Sequence, residues 1–147
     1  LDQKKLYDEY RMNEPWDSDH NKTLLARIPA TFRDPTEPND STNSSYFALT
    51  GNGAAFSKKE GALFRDFTDG TSNSLLFVEA KRNIPWTKPQ DIPFDPKKKL
   101  PKFGGHYDDI FLALLADGSV RVIAENINVD TLKALITIGG QEPIPKF

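Results

Sequence analysis

The chain contains no cysteine, one methionine and only two histidines among its 147 residues. The absence of cysteine excludes disulfides, thiolate metal sites and a cysteine nucleophile within this sequence, and it leaves either redox compartment open. Histidine-dependent chemistry has only His20 and His106 to use. The sequence therefore argues against redox catalysis and against a histidine-rich metal site.

The chain also lacks an excess of one charge and any long apolar run. Nineteen basic side chains against 21 acidic ones give a net charge of -2, so no overall field attracts nucleic acid or an anionic membrane. The longest apolar runs, such as residues 110–116, are far shorter than the roughly 20 residues needed to cross a bilayer. Because the chain starts with Leu1 rather than Met and has no signal-peptide pattern, we expect a trimmed part of a longer protein.

A hydrophobic content of 37% with 11% aromatic residues is enough to build a core. The length predicts a single globular domain spanning residues 1–147. Capping residues and apolar faces predict short helices in residues 1–10, 19–28 and 131–137. The helix in 19–28 is expected to start at the capping oxygens of residues 17–21, and glycines 139 and 140 are expected to end the last helix.

Strand signals dominate the middle of the chain. Residues 46–50 have β propensity, residues 75–80 are apolar enough for a central strand, and residues 111–123 form a hairpin around a two-residue Asp117-Gly118 turn. The pattern predicts an α+β fold with an antiparallel sheet and short helices near both ends. The expected core positions on these strands are Leu75, Phe77, Leu112, Leu114, Val120 and Val122.

Two segments read as loops. Residues 34–45 are rich in Pro, Asn, Asp, Ser and Thr, as expected of a surface loop. Residues 82–101 hold five of the eleven prolines, which predicts a long excursion that neither forms a helix nor joins a sheet ladder regularly. Trp86 and Phe94 are expected to anchor this excursion. Its basic run, Lys97 to Lys99 with Lys102, is typical of a solvated loop.

The polar stretch DFTDGTSNS, residues 66–74, is ambiguous. Calcium prefers six to eight oxygen ligands, but the EF-hand spacing and its terminal glutamate are missing here. The alternative is a turn at Asp69-Gly70 whose polar side chains bond local backbone before Leu75 enters the central strand. We favour the turn, with calcium kept as a candidate cofactor; its candidate ligands are Asp66, Asp69, Thr71 and Asn73.

No catalytic constellation is evident. There is no Gly-x-Ser-x-Gly elbow, and His106 with Asp108 and Asp109 makes an incomplete zinc set. Glu79 is the only acid within a strand that is predicted to be buried, whereas glycoside hydrolysis needs two carboxylates. We expect Glu79 to form an ion pair; its candidate partners are Lys81, Arg82 and Arg121.

Trp16 and Trp86 each lie beside a proline and are candidates for an interaction surface. Two such rings make a sugar-stacking surface if their faces are exposed. Aromatic residues in proline-rich loops more often pin those loops to the core, and we favour this interpretation.

Five motifs in order resemble a known family. They are Asn13-Glu14-Pro15-Trp16-Asp17-Ser18, Thr68-Asp69-Gly70-Thr71-Ser72-Asn73, Val78-Glu79-Ala80, Pro85-Trp86-Thr87-Lys88-Pro89 and Ala116-Asp117-Gly118-Ser119-Val120. Their order and their residues resemble the C-terminal globular part of the prepilin-like domain-of-unknown-function family of planctomycete bacteria, over nearly the whole chain. In the family signature nine residues separate a His from Asp-Gly, whereas ten residues separate His106 from Asp117 here. Tyr107-Asp108-Asp109 also replaces the Pro-Gly-Gly that follows the His in the family.

The resemblance implies a pilin-like or pseudopilin-like globular head. In the full-length protein it implies an N-terminal processing site and hydrophobic helix, export to the periplasm or cell surface with membrane anchoring through that helix, and assembly with protein partners or itself. We therefore expect a non-enzymatic, exported structural or surface module without nucleic-acid binding. The alternatives are a calcium- or glycan-binding surface domain and a hydrolase with an unrecognised site.

Overall fold

The computed structural model describes residues 2–57 and 61–141. Contacts divide the chain into two compact units. The first unit holds residues 2–46 and 82–90, and the second holds 47–57, 61–81 and 91–141 of the described residues. Within these residues no helix has the length and apolar character of a membrane span. The single domain predicted for residues 1–147 stays a prediction.

The sheet confirms the predicted α+β class. Its strands are β1 (Tyr46–Gly51), β2 (Leu75–Glu79), β3 (Ile92–Phe94), β4 (Ile110–Leu115) and β5 (Val120–Ala124), in the order β3-β1-β2-β4-β5. The central position of β2 is confirmed, and β4 pairs antiparallel with both β2 and β5. The sheet is mostly antiparallel, as predicted, and β3 runs parallel to β1.

Strand β3 lies within residues 82–101, the segment predicted not to join a sheet ladder regularly. Ile92 and Phe94 are buried and pair with Leu49 and Gly51 of β1, while Pro93 between them is exposed. Strand β3 lies at the edge of the sheet, where a residue without a backbone N–H is tolerated. The segment therefore joins the sheet over three residues only, which agrees with the irregularity that its prolines predict.

Helix α3 (Val129–Ile136) covers the second unit's core. The Asn128 side chain accepts hydrogen bonds from the N–H groups of Asp130 and Thr131, which satisfies two free donors of the first turn. Leu132, Leu135 and Ile136 are buried, as their spacing predicts. The helix ends earlier than the predicted glycine stop, because Thr137 already has extended backbone and bridges to Ala54.

The side of the sheet that faces the core was mispredicted for β4 and β5. Of the six expected core residues only Leu75 is fully buried; Leu112 and Leu114 are half-buried, and Phe77, Val120 and Val122 are exposed. The buried members of β4 and β5 are Phe111, Ala113, Leu115 and Ile123. Side chains alternate between faces along a strand, and β4 is apolar on both, so hydrophobicity did not identify the inner one.

The β4–β5 hairpin is confirmed, but its turn differs from the predicted two-residue type. Gly118 N–H donates to the Leu115 carbonyl at 3.0 Å, and Leu115 N–H donates to the Ser119 carbonyl at 2.9 Å. Gly118 has φ of +84°, and Asp117 is not among the residues with positive φ. The loop is therefore a three-residue type, in which a turn is followed by one left-handed glycine.

The first unit is mostly loops with two short helices, α1 (Lys4–Glu9) and α2 (Asp19–Lys22). Ser18 caps α2 by accepting from the Asn21 N–H, so the predicted helix start at residues 17–21 is confirmed. Two 3₁₀ turns follow, Leu25–Arg27 and Ala30–Phe32. The loop 34–45 is not wholly at the surface, because the Asp34 and Ser45 ends are buried and Asp34 N–H donates to the Ser45 hydroxyl.

Candidate functional site

A groove with a volume of about 1070 Å³ lies within the first unit. We call it the aromatic groove, because both tryptophans of the chain lie on it together with Tyr7, Tyr10 and Phe32. Its remaining lining comes from prolines, two apolar side chains and several polar ones: Asp2, Gln3, Lys4, Leu6, Met12, Glu14, Pro15, Pro29, Thr87 and Pro89. The volume of the groove is slightly above the roughly 300–1,000 Å³ that is typical of small-molecule sites.

The turn that carries Trp16 is fixed by one buried amide, that of Asn21. The Asn21 Oδ1 atom accepts from Arg11 N–H at 3.0 Å, and its Nδ2 donates to the carbonyls of Arg11 at 3.1 Å and Pro15 at 2.8 Å. Asn21 is fully buried, so these bonds replace water for both ends of its amide. The sequence analysis missed this residue, because its only sequence signal was membership of a capping run.

The turn that carries Trp86 is fixed from the other segment of the unit. Its indole Nε1–H donates to the Leu25 carbonyl at 2.9 Å, and its backbone N–H donates to the Thr42 carbonyl at 2.9 Å. The Phe32 ring stacks on the indole with centroids 6.0 Å apart and planes 22° apart. The indole N–H is thus used internally, and Trp86 offers the groove ring surface. Trp86 both pins its loop, as favoured from the sequence, and lines the groove.

Thr87, next to Trp86, carries a buried hydroxyl on the groove lining. The residue is 7% exposed, and its Oγ1 has no hydrogen-bond partner among the described residues. Its carbonyl accepts from the Tyr10 hydroxyl at 3.3 Å, which links the two segments of the unit. The Oγ1 atom is itself shielded from solvent, so this hydroxyl belongs to the packed wall of the groove and not to its open surface.

Charged groups of both signs surround Trp16. The Lys88 ammonium lies over the indole ring, 5.5 Å from its centroid, which is a cation–π geometry. Glu14 accepts from the Arg11 guanidinium at 2.9 Å and from the Ser18 hydroxyl at 2.8 Å. These two hydrogen bonds hold the pKa of Glu14 below its ordinary value of 4.5, so the carboxylate is ionised at neutral pH.

In the second unit, the carboxylates proposed for calcium are turned toward backbone amides. The Asp69 oxygens accept from the N–H groups of Gly140 at 2.9 Å and Gln141 at 2.7 Å, and Asp66 accepts from Leu63 N–H at 2.9 Å. Asn73 Nδ2 donates to the Asp69 carbonyl, while Thr71 begins a 3₁₀ turn after Gly70. These contacts are those of a turn that also ties down the chain after α3.

Glu79 is fully buried in the central strand β2. Its Oε1 accepts from His106 N–H and its Oε2 from Leu112 N–H, both at 3.2 Å. The sequence favoured a basic partner from residues 81, 82 or 121, whereas these two bonds come from the main chain. The carboxylate thereby joins the loop 104–109 to β4. That loop ends before β4 begins at Ile110, so an additional residue in it leaves the strand's alternation unchanged.

The two histidines lie in different units. The His20 ring Nε2 is 2.9 Å from the Glu9 carbonyl oxygen, and His106 follows the glycines of the loop next to Glu79. Within the described residues no group of three His, Asp or Glu side chains is arranged to hold a metal ion. His106, Asp108 and Asp109 therefore do not form the zinc set considered from the sequence.

The five motifs of the family resemblance fall at three places. The motifs containing Trp16 and Trp86 both lie on the aromatic groove. The motifs beginning at Thr68 and Ala116 form adjacent turns, joined by a hydrogen bond from Asp117 N–H to the Thr71 carbonyl at 3.1 Å. The third motif contains Glu79 of the central strand. No protein-family model, no curated protein and no solved structure matches the chain, so the resemblance rests on these motifs alone.

Proposed function

We propose that this chain is a non-enzymatic recognition module of an exported, pilin-like surface protein, and that the aromatic groove binds carbohydrate. The observation that carries the binding proposal is that both tryptophans of the chain line one groove. The pilin-like placement and export rest on the motif resemblance. The hydrolase alternative has no supporting observation in the groove.

The side chains of the groove favour an oligosaccharide. Sugar rings combine apolar C–H faces, which pack on aromatic rings, with hydroxyl groups that need donors and acceptors. The groove supplies two indole rings for the apolar faces, and it supplies the polar side chains of Gln3 and Glu14 for the hydroxyl groups. Rigid aromatic anchors with a few polar groups are the usual composition of a specific ligand site.

A proline-rich peptide is the competing ligand, since such peptides also bind aromatic grooves. The carbonyls of a polyproline helix have no internal partners and need donors from the site. The Trp86 indole N–H is already bonded to the Leu25 carbonyl, so it is not such a donor. What Trp86 offers is a ring face, and this favours stacking of a sugar.

Tryptophan fluorescence tests the proposal directly, because the only two tryptophans both lie on the groove. The chain is titrated with neutral and acidic hexasaccharides and, separately, with a proline-rich peptide. We expect a saturable change in emission with at least one hexasaccharide. No change with any sugar, or a change with the peptide alone, overturns the carbohydrate proposal.

A matched pair of variants locates the site. Tyr7 on the groove and Phe64 in the second unit are both highly exposed aromatic residues, at 65% and 83%. Neither substitution to Ala removes core packing. Tyr7→Ala should weaken sugar binding by roughly tenfold, the loss of about one aromatic contact, while Phe64→Ala should bind like the parent. Equal binding by both variants would place the ligand elsewhere.

A further inference from the structure

Helix α1 forms part of one wall of the aromatic groove, to which it contributes Lys4, Leu6 and Tyr7. Its six residues are far fewer than the roughly 12–15 at which an isolated helix becomes marginally stable in water. Among the described residues no side chain caps its N-terminus, and neither its first turn nor its last carries a charge that complements the helix dipole. The position of α1 therefore depends on its contacts with the other segments of the unit.

Three contacts among the described residues attach the C-terminal end of α1 to those segments. The Arg27 guanidinium donates to both oxygens of the Glu9 carboxylate, with 3.2 Å between Nη2 and Oε1. The Glu9 carbonyl oxygen lies 2.9 Å from the His20 ring Nε2, and the Tyr10 hydroxyl donates to the Thr87 carbonyl at 3.3 Å. Glu9 thus holds α1 through both its side chain and its main chain.

Arg27 extends this attachment to the turn that holds Trp86. It ends the 3₁₀ turn Leu25–Arg27, and the carbonyl of Leu25 accepts the Trp86 indole N–H at 2.9 Å. The Glu9–Arg27 ion pair therefore joins the α1 side of the groove to the support of its Trp86 ring. Neither Glu9 nor Arg27 is among the residues that line the groove, so the pair acts on a ligand through the elements that it joins.

We propose that Glu9 and Arg27 are positioning residues of the aromatic groove, and that their ion pair holds α1 and the Trp86 turn at the spacing that the ligand needs. The inference rests on the carbohydrate proposal, because the ligand is the same. A bidentate guanidinium–carboxylate pair fixes geometry as well as charge. A site that is already held in its bound geometry loses less entropy when the ligand binds, and this raises the affinity.

The ion pair is formed at neutral pH and is partly exposed. Hydrogen bonds from Arg27 hold the pKa of Glu9 below its ordinary value of 4.5, so the carboxylate is ionised at neutral pH. The side chains of Arg27 and Glu9 are 46% and 35% exposed. Exposed ion pairs contribute little to stability, so loss of this pair should change the ligand affinity and the mobility of α1 more than the stability of the fold.

Sugar affinity in a charge-swap series tests the proposal, measured by tryptophan fluorescence with the hexasaccharide that the parent binds most tightly. Glu9→Arg and Arg27→Glu each bring like charges together and should weaken binding by about tenfold. The double variant restores opposite charges and should bind like the parent. Asp8→Asn is the matched control and should also bind like the parent, because the Lys4–Asp8 pair lies within α1 and joins it to no other element.

Hydrogen exchange without sugar measures the positioning itself. At the end of α1 the Tyr10 N–H donates to the Leu6 carbonyl at 3.2 Å. This amide and the Trp86 indole N–H should exchange about tenfold faster in each single variant, and at the parent's rate in the double variant. Glu9→Gln removes the charge without reversing it, should show the same change to a smaller extent, and replaces any single variant that does not fold.

The two readouts separate this inference from the carbohydrate proposal. A parent that binds no hexasaccharide refutes the carbohydrate proposal and, with it, the role of the pair in ligand affinity. If the parent binds sugar, single variants that bind equally well, or a double variant as weak as the single ones, overturn only the positioning role. Unchanged exchange at Tyr10 and at the Trp86 indole in the single variants overturns it as well.

Discussion

Gly51 is the position where the backbone geometry makes the sharpest prediction. It ends β1 with φ of +125°, and a Cβ atom added there would overlap the Phe94 carbonyl oxygen of β3 and lie 3.2 Å from its carbonyl carbon. The obstacle is main chain, which cannot rotate away as a side chain does. Substitution with alanine must therefore strain Gly51 or separate β1 from β3.

Gly118 supplies the matched control. It also has positive φ, at +84°, but a Cβ atom there meets nothing within 4 Å. Gly118→Ala should therefore cost only the left-handed backbone penalty, about 1 kcal/mol. Gly51→Ala adds an overpacking cost of about 1–3 kcal/mol to a similar penalty, for a total of about 2–4 kcal/mol.

Urea denaturation followed by far-UV circular dichroism measures both variants. The fluorescence of the tryptophans is not suitable, because both tryptophans lie in the first unit and both glycines in the second. In thermal melts each kcal/mol corresponds to about 2–4 °C for a chain of this size. If Gly51→Ala is as stable as Gly118→Ala, the close approach of β3 to β1 is incorrect.

Three further predictions concern the Asn21 hydrogen bonds in the first unit, the β4–β5 hairpin and α3. Asn21→Ala removes three hydrogen bonds and should destabilise the Trp16 turn by about 1–3 kcal/mol. Tryptophan emission should then shift to the red and show its urea transition at a lower concentration. An unchanged transition would contradict the role of Asn21 in fixing this turn. Hydrogen bonds from Ser119 hold the pKa of Asp117 below its ordinary 3.8, so the stability lost in Ser119→Ala at neutral pH should shrink as pH falls through that lowered pKa. A stability difference between parent and variant that does not shrink on acidification would count against this prediction. Leu135→Ala should lower the free energy of unfolding by about 2–5 kcal/mol, because Leu135 is fully buried. Val129→Ala, on the exposed side of the same helix, should change it by about 0.5 kcal/mol or less. Similar thermal melts of the two variants would show that the buried face of α3 is assigned incorrectly.

The sequence predicted the elements whose signals are local. The central strand β2, the β4–β5 hairpin and the start of α2 were all found, because each is bounded by turn or capping residues within a few positions. The inner face of β4 and β5 was missed, because Val120 and Val122 follow the alternation of a buried face while Ile123 is the residue that is buried. Which face is covered depends on packing from residues distant in sequence, such as α3, which packs against the neighbouring strand β2.

The groove was predictable only in part. Trp16 and Trp86 were candidates for an interaction surface, and they do lie on one groove. Their proximity depends on contacts that sequence spacing does not encode, namely the Asn21 amide and the Trp86 bond to the Leu25 carbonyl. The buried Thr87 hydroxyl had no sequence signal at all, since a threonine in a proline-rich loop is ordinarily exposed.

The first unit is built from two separate segments of the chain, and this limits how the chain can be shortened. Its two segments are joined by the hydrogen bonds of Trp86 N–H to the Thr42 carbonyl and of Ser44 N–H to the Ile84 carbonyl. The intervening residues of the chain belong to the second unit. A chain that stops before residue 82 loses Trp86 and Thr87, so no single cut isolates the groove. During synthesis, too, the groove is complete only after β1 and β2 have been made, and its long-range closure carries an entropic cost that local helices avoid.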